Sequence, residues 1–585
     1  MKNKSKNKLE FSHFRYLSRY KALTFCAPFF KVIETICELI VPLIMAKIID
    51  YGISHNDVNF IIWNGVLILG LNLIGFIFAV LSHKCAALVQ KRVARDIRND
   101  IFAHINSLSY AELDKFSTTT LLNRTVNDVR NIQAGIGSIL RAITRAPCLL
   151  VGSLILSLFI NIKLSIVFII IIPIVTLLVV KVMGKLKPLL IRIKEKLDKT
   201  TNITRENLSG VRVVRAFNKQ NYETEKFKDA NYDLISTQIK HGAWSSLLHP
   251  LIGLVVNVAI IALFYFGGIE VNIGGLSQGN LLAFINYFST ISACIIALSN
   301  LITIITRMNA SRDRINSLFV VKNSIKNPQH PVVVDFANPN LGKVEFKDVN
   351  FSYSNMKNAV TNLSMVANPG EIIGVIGGTG SGKSSIVNLI PRFYDVTSGE
   401  VLIDDINVKK YNVEDLRQII GLVPQNPTLF EGTIRSNMCW RKPDATDEEI
   451  IKALKISQAY DFVKEYPDFL EHRVHRGGKN FSGGQRQRLT IARALVGNPS
   501  IIILDDASSA LDFATDAKLR KAIRTYLSNA TTFIVTQRTN SIRDADKIIV
   551  INNGDIVDIG SHTELLDRCQ VYSEIHYSQN KKEGK

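Results

Sequence analysis

The sequence predicts a multidomain membrane protein, in which an all-α domain of six transmembrane helices with long cytoplasmic extensions precedes an α/β domain. The composition is the first indication: 47% of the 585 residues are hydrophobic and the mean hydropathy is +0.15, although 21% are charged. The second is a series of long apolar segments in the first half, and the third is a glycine-rich loop between a strand and a helix in the second half. A chain of this length exceeds one ordinary domain. We place the boundaries at 1–19 (cytoplasmic tail), 20–320 (membrane domain), 321–342 (linker) and 343–585 (α/β domain).

Six apolar segments are candidates for membrane spans, since a bilayer core needs about 20 apolar residues per helix. Two of them are short, but Asn161–Lys163 between them is a tight hairpin at one surface. A soluble helical bundle is disfavoured because the run Val167–Ile172 has no polar face. The segments are Leu23–Ile49, Val58–Ser82, Ala146–Ile160, Leu164–Val180, Leu247–Gly268 and Leu281–Ile302.

Lysine and arginine are distributed unequally between the connections, which predicts the orientation. Asp50–Asp57 and Gly268–Gln278 contain neither, and the third connection on that side has only Lys163. The other two connections are strongly basic, so we expect them and both termini to be cytoplasmic in a multi-pass cell membrane protein. This distribution explains much of the net charge of +20 without a nucleic acid partner. The basic residues are Lys84, Lys91, Arg92, Arg95, Arg98, Arg124, Arg130, Arg141 and Arg145 in one connection and Lys181, Lys185, Lys187, Arg192, Lys194, Lys196 and Lys199 in the other.

The two basic connections have helical patterns rather than the character of loops. Leu88–Leu108 and Leu189–Leu208 are predicted helices, so the membrane helices continue into the cytoplasm. Each connection also has a short break, at Phe116–Arg124 and at Ala216–Asn221. The break is either a transverse helix that presses on another domain or an ordinary helix–helix turn.

Glu34 and Glu38 lie inside the first predicted span, four residues apart and hence on one helix face. Ionisable groups within a membrane are candidates for function. They face a central cavity, where they favour cationic substrates or carry protons, or they pair with Lys31 or with another helix, or they lie near the membrane surface.

The N-terminal region and the cysteines carry weaker signals. Leu9–Tyr20 is aromatic and basic, typical of an interfacial helix or of an ordinary tail. Met1–Leu9 is basic and no small-residue cleavage site follows, so we expect no removable signal peptide. The seven cysteines are scattered, which predicts neither a disulfide framework nor a metal site.

The glycine-rich loop fits the phosphate-binding pattern G-x-x-x-x-G-K-[ST]. A predicted strand, Ile372–Ile376, precedes it and a predicted helix begins at Ser385, as the motif requires. Glycines allow the backbone to wrap around phosphates, and the helix N-terminus adds free N–H groups. Lys383 is expected to reach the β- and γ-phosphates of a nucleoside triphosphate, and Ser384 to bind Mg²⁺. The loop residues are Gly377, Gly378, Thr379, Gly380, Ser381, Gly382, Lys383 and Ser384.

Carboxylates and amides follow other predicted strands. Ile501–Leu504 leads into Asp505, a candidate Mg²⁺ ligand through water, and Asp506, a candidate for polarising the attacking water. Gln425 follows a predicted strand and is a candidate for ligating Mg²⁺ or orienting water. Gln537 follows another, Thr532–Thr536.

Two further motifs lie on either side of the phosphate-binding loop. Tyr353 follows the alternating strand Val344–Phe351 and either stacks on an adenine ring or is a core or edge aromatic residue. Phe481–Gln485 precedes a predicted amphipathic helix, with Ser482 as its N-cap. Small residues at a helix N-terminus make a second anion site, here Ser482, Gly483, Gly484 and Gln485.

These motifs together resemble those of ABC transporters, and the six spans before one ATP-binding domain resemble a half-transporter of the bacterial exporter type (type IV fold). The resemblance implies two halves whose ATP domains dimerise head to tail, each nucleotide lying between one half's phosphate-binding loop and the other's signature. It implies ATP and Mg²⁺ as cofactors. It assigns Tyr353 to adenine stacking, Gln425 to the Q-loop, Ser482–Gln485 to the signature and Asp512 to the nucleotide-contacting loop after Asp506. Asn123–Val129 and Asn207–Phe217 resemble the two cytoplasmic coupling loops of the family.

Two departures from the family pattern bear on catalysis. Asp506 stands where the family has glutamate, and Gln537 where it has histidine. A base shortened by one methylene misplaces its carboxylate by about 1 Å, which can cost about 10²-fold in rate, and glutamine does not titrate. The pattern is similar to one subunit of the heterodimeric multidrug exporters, whose own loop forms a low-hydrolysis site and whose signature completes the partner's hydrolysing site.

The sequence therefore predicts an ABC-type ATPase coupled to export of hydrophobic, amphipathic or cationic compounds, with a second half-transporter as partner. A heterodimer is favoured over a homodimer. A lipid or peptide exporter, and an ATP-gated regulatory subunit with little transport of its own, stay open as alternatives.

Overall fold

The chain forms two compact units in the computed structural model, which describes residues 13–335, 338, 341–353 and 358–580. The first unit contains residues 13–106 together with Thr118–Val321. The second contains Ser107–Ser117 and the described residues from Lys322 onward. The basic N-terminal residues 1–9 and the start of the predicted interfacial segment lie outside the described residues.

The first unit is helical. Short π-helical turns at Ile48–Ile53, Arg124–Asp128 and Ile139–Ile143 join or follow some of its helices. Ser107–Ser117, of the second unit, carries α4. The helices in this part of the chain are α1 (His13–Leu17), α2 (Lys21–Lys47), α3 (Val58–Ser107), α4 (Tyr110–Leu113), α5 (Thr118–Asn123), α6 (Val129–Ser138), α7 (Thr144–Ile160), α8 (Ile162–Ser209), α9 (Val211–Ala216), α10 (Gln220–Asn272) and α11 (Gln278–Phe319).

Five helical stretches of the described residues are long and apolar enough to cross a membrane: α3, α5 to α7 taken together, α8, α10 and α11. They match five of the six predicted spans. The remaining predicted span is α2, which carries Lys31, Glu34 and Glu38 within its 27 residues. α3 has 50 residues and α8 has 48, so at 1.5 Å per residue each is about 70–75 Å long, against about 30 Å of hydrocarbon. The predicted helical extensions are confirmed.

The predicted hairpin between the third and fourth spans is present. α7 ends at Ile160 and α8 begins at Ile162, with Asn161 in an extended conformation between them. The Asn161 side chain accepts a hydrogen bond of 3.1 Å from the Leu164 N–H. This N-cap satisfies a donor that the first turn leaves free and allows the chain to reverse within one residue.

α2 and α11 approach closely at their ends. A Cβ on Gly279 would lie 2.2 Å from the Ala46 carbonyl oxygen, so only glycine fits there. The Asp50 carboxylate accepts a hydrogen bond of 2.7 Å from the Gly279 N–H and another from the Ser277 hydroxyl. It therefore caps α11, where a negative charge also interacts favourably with the helix dipole.

The second unit is built on a ten-stranded sheet in the order β5-β4-β1-β2-β12-β11-β3-β10-β9-β6, with β7 and β8 paired separately. The strands are β1 (Val344–Phe351), β2 (Val360–Ala367), β3 (Ile372–Ile376), β4 (Ser398–Ile403), β5 (Ile406–Asn407), β6 (Ile420–Val423), β7 (Gly432–Thr433), β8 (Arg473–Val474), β9 (Ile501–Asp505), β10 (Thr531–Thr536), β11 (Lys547–Asn552) and β12 (Asp555–Gly560). The helices are α12 (Lys383–Leu389), α13 (Val413–Gln418), α14 (Ile434–Met438), α15 (Asp447–Ile456), α16 (Tyr460–Val463), α17 (Gly483–Leu495), α18 (Phe513–Tyr526), α19 (Thr539–Ile542), α20 (His562–Arg568) and α21 (Gln570–Asn580).

The strands β11, β3, β10, β9 and β6 are consecutive neighbours and pair in parallel. β3, β9 and β10 are buried along their whole length, as expected for parallel strands that are covered on both faces. The predicted strand at Ile372–Ile376 is confirmed to the residue, and the predicted strand that begins at Ile501 is present and ends at Asp505. Because parallel strands end at the same edge, the loops after β3, β6, β9 and β10 all lie at one edge of the sheet.

Candidate active site

The phosphate-binding loop follows β3, and two of its glycines are required by close backbone contacts. Gly382 has φ +106°, and a Cβ there would lie 2.0 Å from the Ala359 carbonyl oxygen. A Cβ on Gly377 would lie 2.1 Å from the Ile551 carbonyl oxygen. α12 begins at Lys383, directly after the loop. The strand–loop–helix arrangement that the motif predicts is therefore present.

Lys383 is held against its own loop. Its ammonium group donates hydrogen bonds of 3.0 Å to the Gly377 carbonyl and 2.6 Å to the Gly378 carbonyl. Burial lowers the pKa of Lys383, while the nearby carboxylates of Asp506 and Asp505 raise it. A partly desolvated ammonium at a helix N-terminus interacts strongly with an anion, which suits a phosphate-binding loop.

Ser384 and Asp505 are in direct contact, as a shared role at Mg²⁺ requires. The Ser384 hydroxyl donates a hydrogen bond of 2.9 Å to an Asp505 carboxylate oxygen. Asp505 is only 8% exposed; its burial, together with the charge of Asp506, raises its pKa, and the hydrogen bond from Ser384 opposes that rise. Hydroxyl and carboxylate oxygens are ligands that Mg²⁺ prefers, with phosphate and water oxygens completing the shell. The residues present therefore fit the ion. Among the described residues no group of three or more His, Cys, Asp and Glu side chains is arranged to hold a metal alone.

Asp506 lies at a sharp turn after β9. Its φ is +50°, in the left-handed region that aspartate tolerates better than most residues. Its N–H donates a hydrogen bond of 2.9 Å to the Val535 carbonyl, which ties the turn to β10. The backbone of this residue is therefore fixed by the sheet, and its half-buried side chain lies close enough to Lys383 to affect its pKa.

Gln425 and Gln537 both lie at the edge where the loop ends. Gln537 directly follows β10, and Gln425 lies two residues after β6; both strands pair in parallel with β9. Both side chains are exposed. The sheet thus brings the predicted site residues of four separate sequence segments to one edge.

Tyr353 lies near the phosphate-binding loop but is surrounded by other rings. Its hydroxyl is 3.1 Å from the Ser385 hydroxyl. Its ring packs edge-on against Phe351 and Tyr394, with centroids 4.6 and 5.1 Å apart, and burial raises its pKa. Both earlier interpretations, a core aromatic residue and an adenine-stacking one, are compatible with this position.

The predicted N-cap of α17 is confirmed. The Ser482 hydroxyl accepts a hydrogen bond from the Gln485 N–H, and the Gln485 side chain accepts one from the Ser482 N–H. This capping box satisfies two of the helix's free donors. Ser482 and Gly483 are exposed. A Cβ on Gly484 would lie 3.2 Å from the Ala510 carbonyl oxygen, so this turn packs against the loop that carries Asp512.

Asp512 has a structural role in addition to its predicted one. Its carboxylate accepts a hydrogen bond of 2.6 Å from the Thr515 N–H and caps α18. The backbone hydrogen bond from Thr515 lowers the pKa of Asp512.

Sequence reasoning missed the contact of α4 with the ATP-binding unit. Tyr110 packs against Phe393 with centroids 4.5 Å apart. The Tyr394 hydroxyl donates a hydrogen bond of 2.6 Å to the Asp114 carboxylate. The predicted break at Phe116–Arg124 overlaps the end of this segment, since the second unit includes Ser107–Ser117 and α5 begins at Thr118. The pattern S-x-x-E at Ser109–Glu112, typical of a helix start, is the signal that was available.

The two intramembrane glutamates are both paired with cations. Glu34 lies 2.7 Å from the ammonium nitrogen of Lys31, one turn away on α2. Glu38 accepts hydrogen bonds of 3.0 Å from the guanidinium group of Arg145 on α7. Of the alternatives from the sequence, the structure supports pairing, with Lys31 for Glu34 and with another helix for Glu38.

Comparison with known proteins places this architecture in a family. Residues 24–294 match the model of the ABC transporter transmembrane region, and residues 360–509 match a second model, described as ABC transporter. The chain belongs to the ABC transporters. Its two regions, in this order, make it an ABC exporter half-transporter of bacterial type.

Relatives of similar length support the assignment. The chain is 35% identical over 571 residues to the uncharacterized ABC transporter ATP-binding protein YfiB of Bacillus subtilis, covering 97% of this chain and 98% of that one. It is 34% identical over 492 residues to the putative multidrug export ATP-binding/permease protein YgaD of the same organism, with 84% of each covered. It is 31% identical over 563 residues to the ATP-dependent lipid A-core flippase of Desulfotalea psychrophila, with 96% and 97% covered.

The fold is that of a solved exporter. The structure of a bacterial Atm1-family ABC exporter with ATP bound has a TM-score of 0.79 to this chain, at 23% identity, covering 95% and 98% of the two chains. The predicted fold class, a helical membrane domain followed by an α/β ATP-binding domain, is confirmed. Family membership implies ATP hydrolysis coupled to transport, by a dimer within a lipid bilayer.

Proposed function

We propose that this chain is one half of a heterodimeric exporter of amphipathic compounds, either drugs or lipids, in the cell membrane. Its own phosphate-binding loop forms a site that holds ATP and hydrolyses it slowly, and its signature completes the hydrolysing site of the partner half. The observation that carries the proposal is the pair Asp506 and Gln537, which stand at the edge of the sheet where the family has glutamate and histidine.

The binding machinery supports ATP retention at the chain's own site. Lys383, Ser384 and Asp505 are all present and are held by short hydrogen bonds. The backbone of Asp506 is fixed by its bond to β10, so the shorter side chain cannot regain its reach by a movement of that backbone. ATP would therefore bind, while the water-polarising carboxylate would fall short of its position.

The signature supports a role at another half's nucleotide. Ser482 and Gly483 are exposed at the start of a 13-residue helix. The basic residues of the two long connections favour an orientation with this unit and both termini in the cytoplasm. ATP-driven closure of two such units would then switch access of the membrane helices from the inside to the outside.

The paired glutamates bear on the substrate. Because Glu34 and Glu38 are neutralised by Lys31 and Arg145, they do not by themselves select cations. We propose amphipathic substrates without a required positive charge, which is compatible with similarity both to a putative multidrug exporter and to a lipid A-core flippase.

The decisive experiment compares two variants of this chain assembled with its partner. Ser482→Ala is expected to lower the ATPase activity at least about tenfold, since it alters the hydrolysing site, and Asp506→Asn to lower it less than twofold. The reverse order would show that the chain's own loop is the hydrolysing site. Uptake of a dye and of a labelled lipid into inside-out vesicles, with and without ATP, separates a transporter from an ATP-gated regulatory subunit and identifies the substrate class.

A further inference from the structure

The last helix of the chain is bonded to the loop that carries Gln537. The Gln579 side-chain amide donates a hydrogen bond of 2.6 Å to the Gln537 carbonyl. The same side chain accepts bonds of 2.9 Å from the Thr539 N–H and 3.1 Å from the Thr539 hydroxyl. One glutamine thus holds both ends of the turn 537–539 between β10 and α19.

The helix that presents Gln579 is anchored in the core. Tyr572 of α21 is fully buried, and its hydroxyl lies 2.7 Å from a ring nitrogen of His562 on α20. His576, one turn before Gln579, has a ring nitrogen 3.2 Å from the Thr539 hydroxyl. Since α21 is fixed at Tyr572, its last turn has a defined position over the turn 537–539.

This turn has an exposed side and a side that faces the loop 509–512. The Gln537 side chain is exposed. The Arg538 guanidinium group donates long hydrogen bonds of 3.4 and 3.5 Å to the Ser509 and Leu511 carbonyls and lies 5.3 Å from the centre of the Phe513 ring. A shift of the turn would therefore move two elements at once: the Gln537 side chain and the loop that ends in Asp512.

We propose that Gln579 is a positioning residue for ATP hydrolysis, which holds the turn 537–539 so that the Gln537 side chain and the loop 509–512 stay aligned with nucleotide. It does not contact nucleotide itself. The inference rests on the proposed role of Gln537 at the nucleotide site. Bidentate fixation of a backbone turn by one side chain removes its freedom before the reaction begins, and misplacements of about 1 Å at such a site change rates up to about 10²-fold.

The test uses the full transporter in nanodiscs and three variants of this chain. Gln579→Ala removes all three bonds, and Gln579→Glu keeps the two acceptor bonds to Thr539 but loses the donor to the Gln537 carbonyl. Gln570→Ala is the matched control, because Gln570 begins the same helix and its side chain donates a hydrogen bond of 2.8 Å to Glu574, on the helix itself.

The three variants are also combined with Ser482→Ala, which leaves the chain's own loop as the remaining hydrolysing site. In that background we expect Gln579→Ala to lower the residual kcat about tenfold with KM changed less than twofold, Gln579→Glu to lie between it and the Ser482→Ala parent, and Gln570→Ala to match the parent. With Ser482 intact, Gln579→Ala should lower the total kcat less than twofold, because most turnover is then at the partner's site. Hydrogen exchange at the Thr539 amide is expected to accelerate in Gln579→Ala, whereas the amides of β10 keep their protection. A residual kcat within twofold of the Ser482→Ala parent for Gln579→Ala, or an equal loss for Gln570→Ala, would overturn the inference. A tenfold loss of total kcat for Gln579→Ala with Ser482 intact would instead count against the assignment of the two sites, which the Ser482 and Asp506 comparison also tests.

Discussion

The ATP-binding unit contains two helix N-termini with glycine-rich starts, and they are stabilised in different ways. At α12, the side chains that precede and begin the helix bind the loop and the neighbouring strand: Lys383 the loop carbonyls and Ser384 the Asp505 carboxylate. At α17, Ser482 and Gln485 close a capping box with each other and Ser482 stays exposed. The first helix start brings a half-buried ammonium group close to a buried carboxylate, whereas the second is a self-contained cap.

The difference indicates what each helix start needs. Burial disfavours the charged forms of both Lys383 and Asp505, as the directions of their pKa shifts show. A phosphate and a divalent cation would supply the missing counter-charges. The residues of the signature cap each other instead, and we propose that its small residues and helix dipole serve a nucleotide bound to another half. This difference supports our proposal that the first site retains ATP, whereas the second makes a contact that forms and breaks.

The largest expected effect comes from Lys383→Ala. A hydrogen bond from an ammonium to a phosphate contributes about 1.5–3 kcal/mol, so its loss should weaken ATP binding by about 10- to 100-fold. Binding of a fluorescent ATP analogue to this chain without a partner measures it. Lys410→Ala, at an exposed lysine, is the control. In the same assay Ser482→Ala should leave binding unchanged, and an equal loss in both variants would mean that the two helix starts do not differ as we infer.

A smaller effect is expected from Asp505→Asn, which keeps an acceptor for the Ser384 hydroxyl. The pKa of Asp505 is higher in the folded state than in the unfolded chain. The ionised carboxylate therefore lowers the stability of the fold at pH values above the folded-state pKa. This loss of stability disappears as the pH falls towards the unfolded-state pKa of about 4. The variant should therefore melt a few degrees higher than wild type at neutral pH, and the gain should shrink towards pH 4.

With Mg²⁺-ATP bound, the wild type should melt at a higher temperature than Asp505→Asn, since its carboxylate then has a cation to bind. Asp558→Asn, at a carboxylate that pairs with Arg568 outside this site, is the control and should show no gain without nucleotide. A lower melting temperature for Asp505→Asn without nucleotide would contradict the buried-charge interpretation of the loop.

Local patterns in the sequence predicted most of the site. The phosphate-binding loop, the strand before Asp505 and the cap at Ser482 each depend on a few consecutive residues, and each was placed correctly. The membrane helices were predictable because hydrophobicity over about 20 residues is a strong signal. α2 is weaker by the same criterion, because Lys31, Glu34 and Glu38 interrupt it.

Contacts between distant segments were not predictable in the same way. The bonds of Gln579 to the turn 537–539 join residues about 40 positions apart, and the bond of Tyr394 to Asp114 spans 280. Neither Gln579 nor Tyr394 belongs to a recognisable sequence motif. The pairing of Glu38 with Arg145 was open for the same reason, since it depends on which helices become neighbours. Such contacts follow from the fold rather than from any local motif.

The smallest effect is expected from substitution of Asp512, which tests whether this carboxylate acts as a helix cap, unlike the buried Asp505 carboxylate of the phosphate-binding site. Asp512 caps α18, and the Thr515 N–H lowers its pKa. The carboxylate therefore adds stability above the unfolded pKa of about 4, and this contribution is lost as the pH falls through the lower folded-state pKa. Asp512→Ala should accelerate hydrogen exchange in the first turn of α18 several-fold at pH 7, while Asp512→Asn, a good N-cap, should change it little. The difference in exchange rate between Asp512→Ala and wild type should become smaller as the pH falls towards the pKa of Asp512 in the folded state. The ionised carboxylate of Asp512 thus stabilises the fold, whereas that of Asp505 destabilises it. If both carboxylates changed stability in the same direction, the contrast between the two sites would be lost.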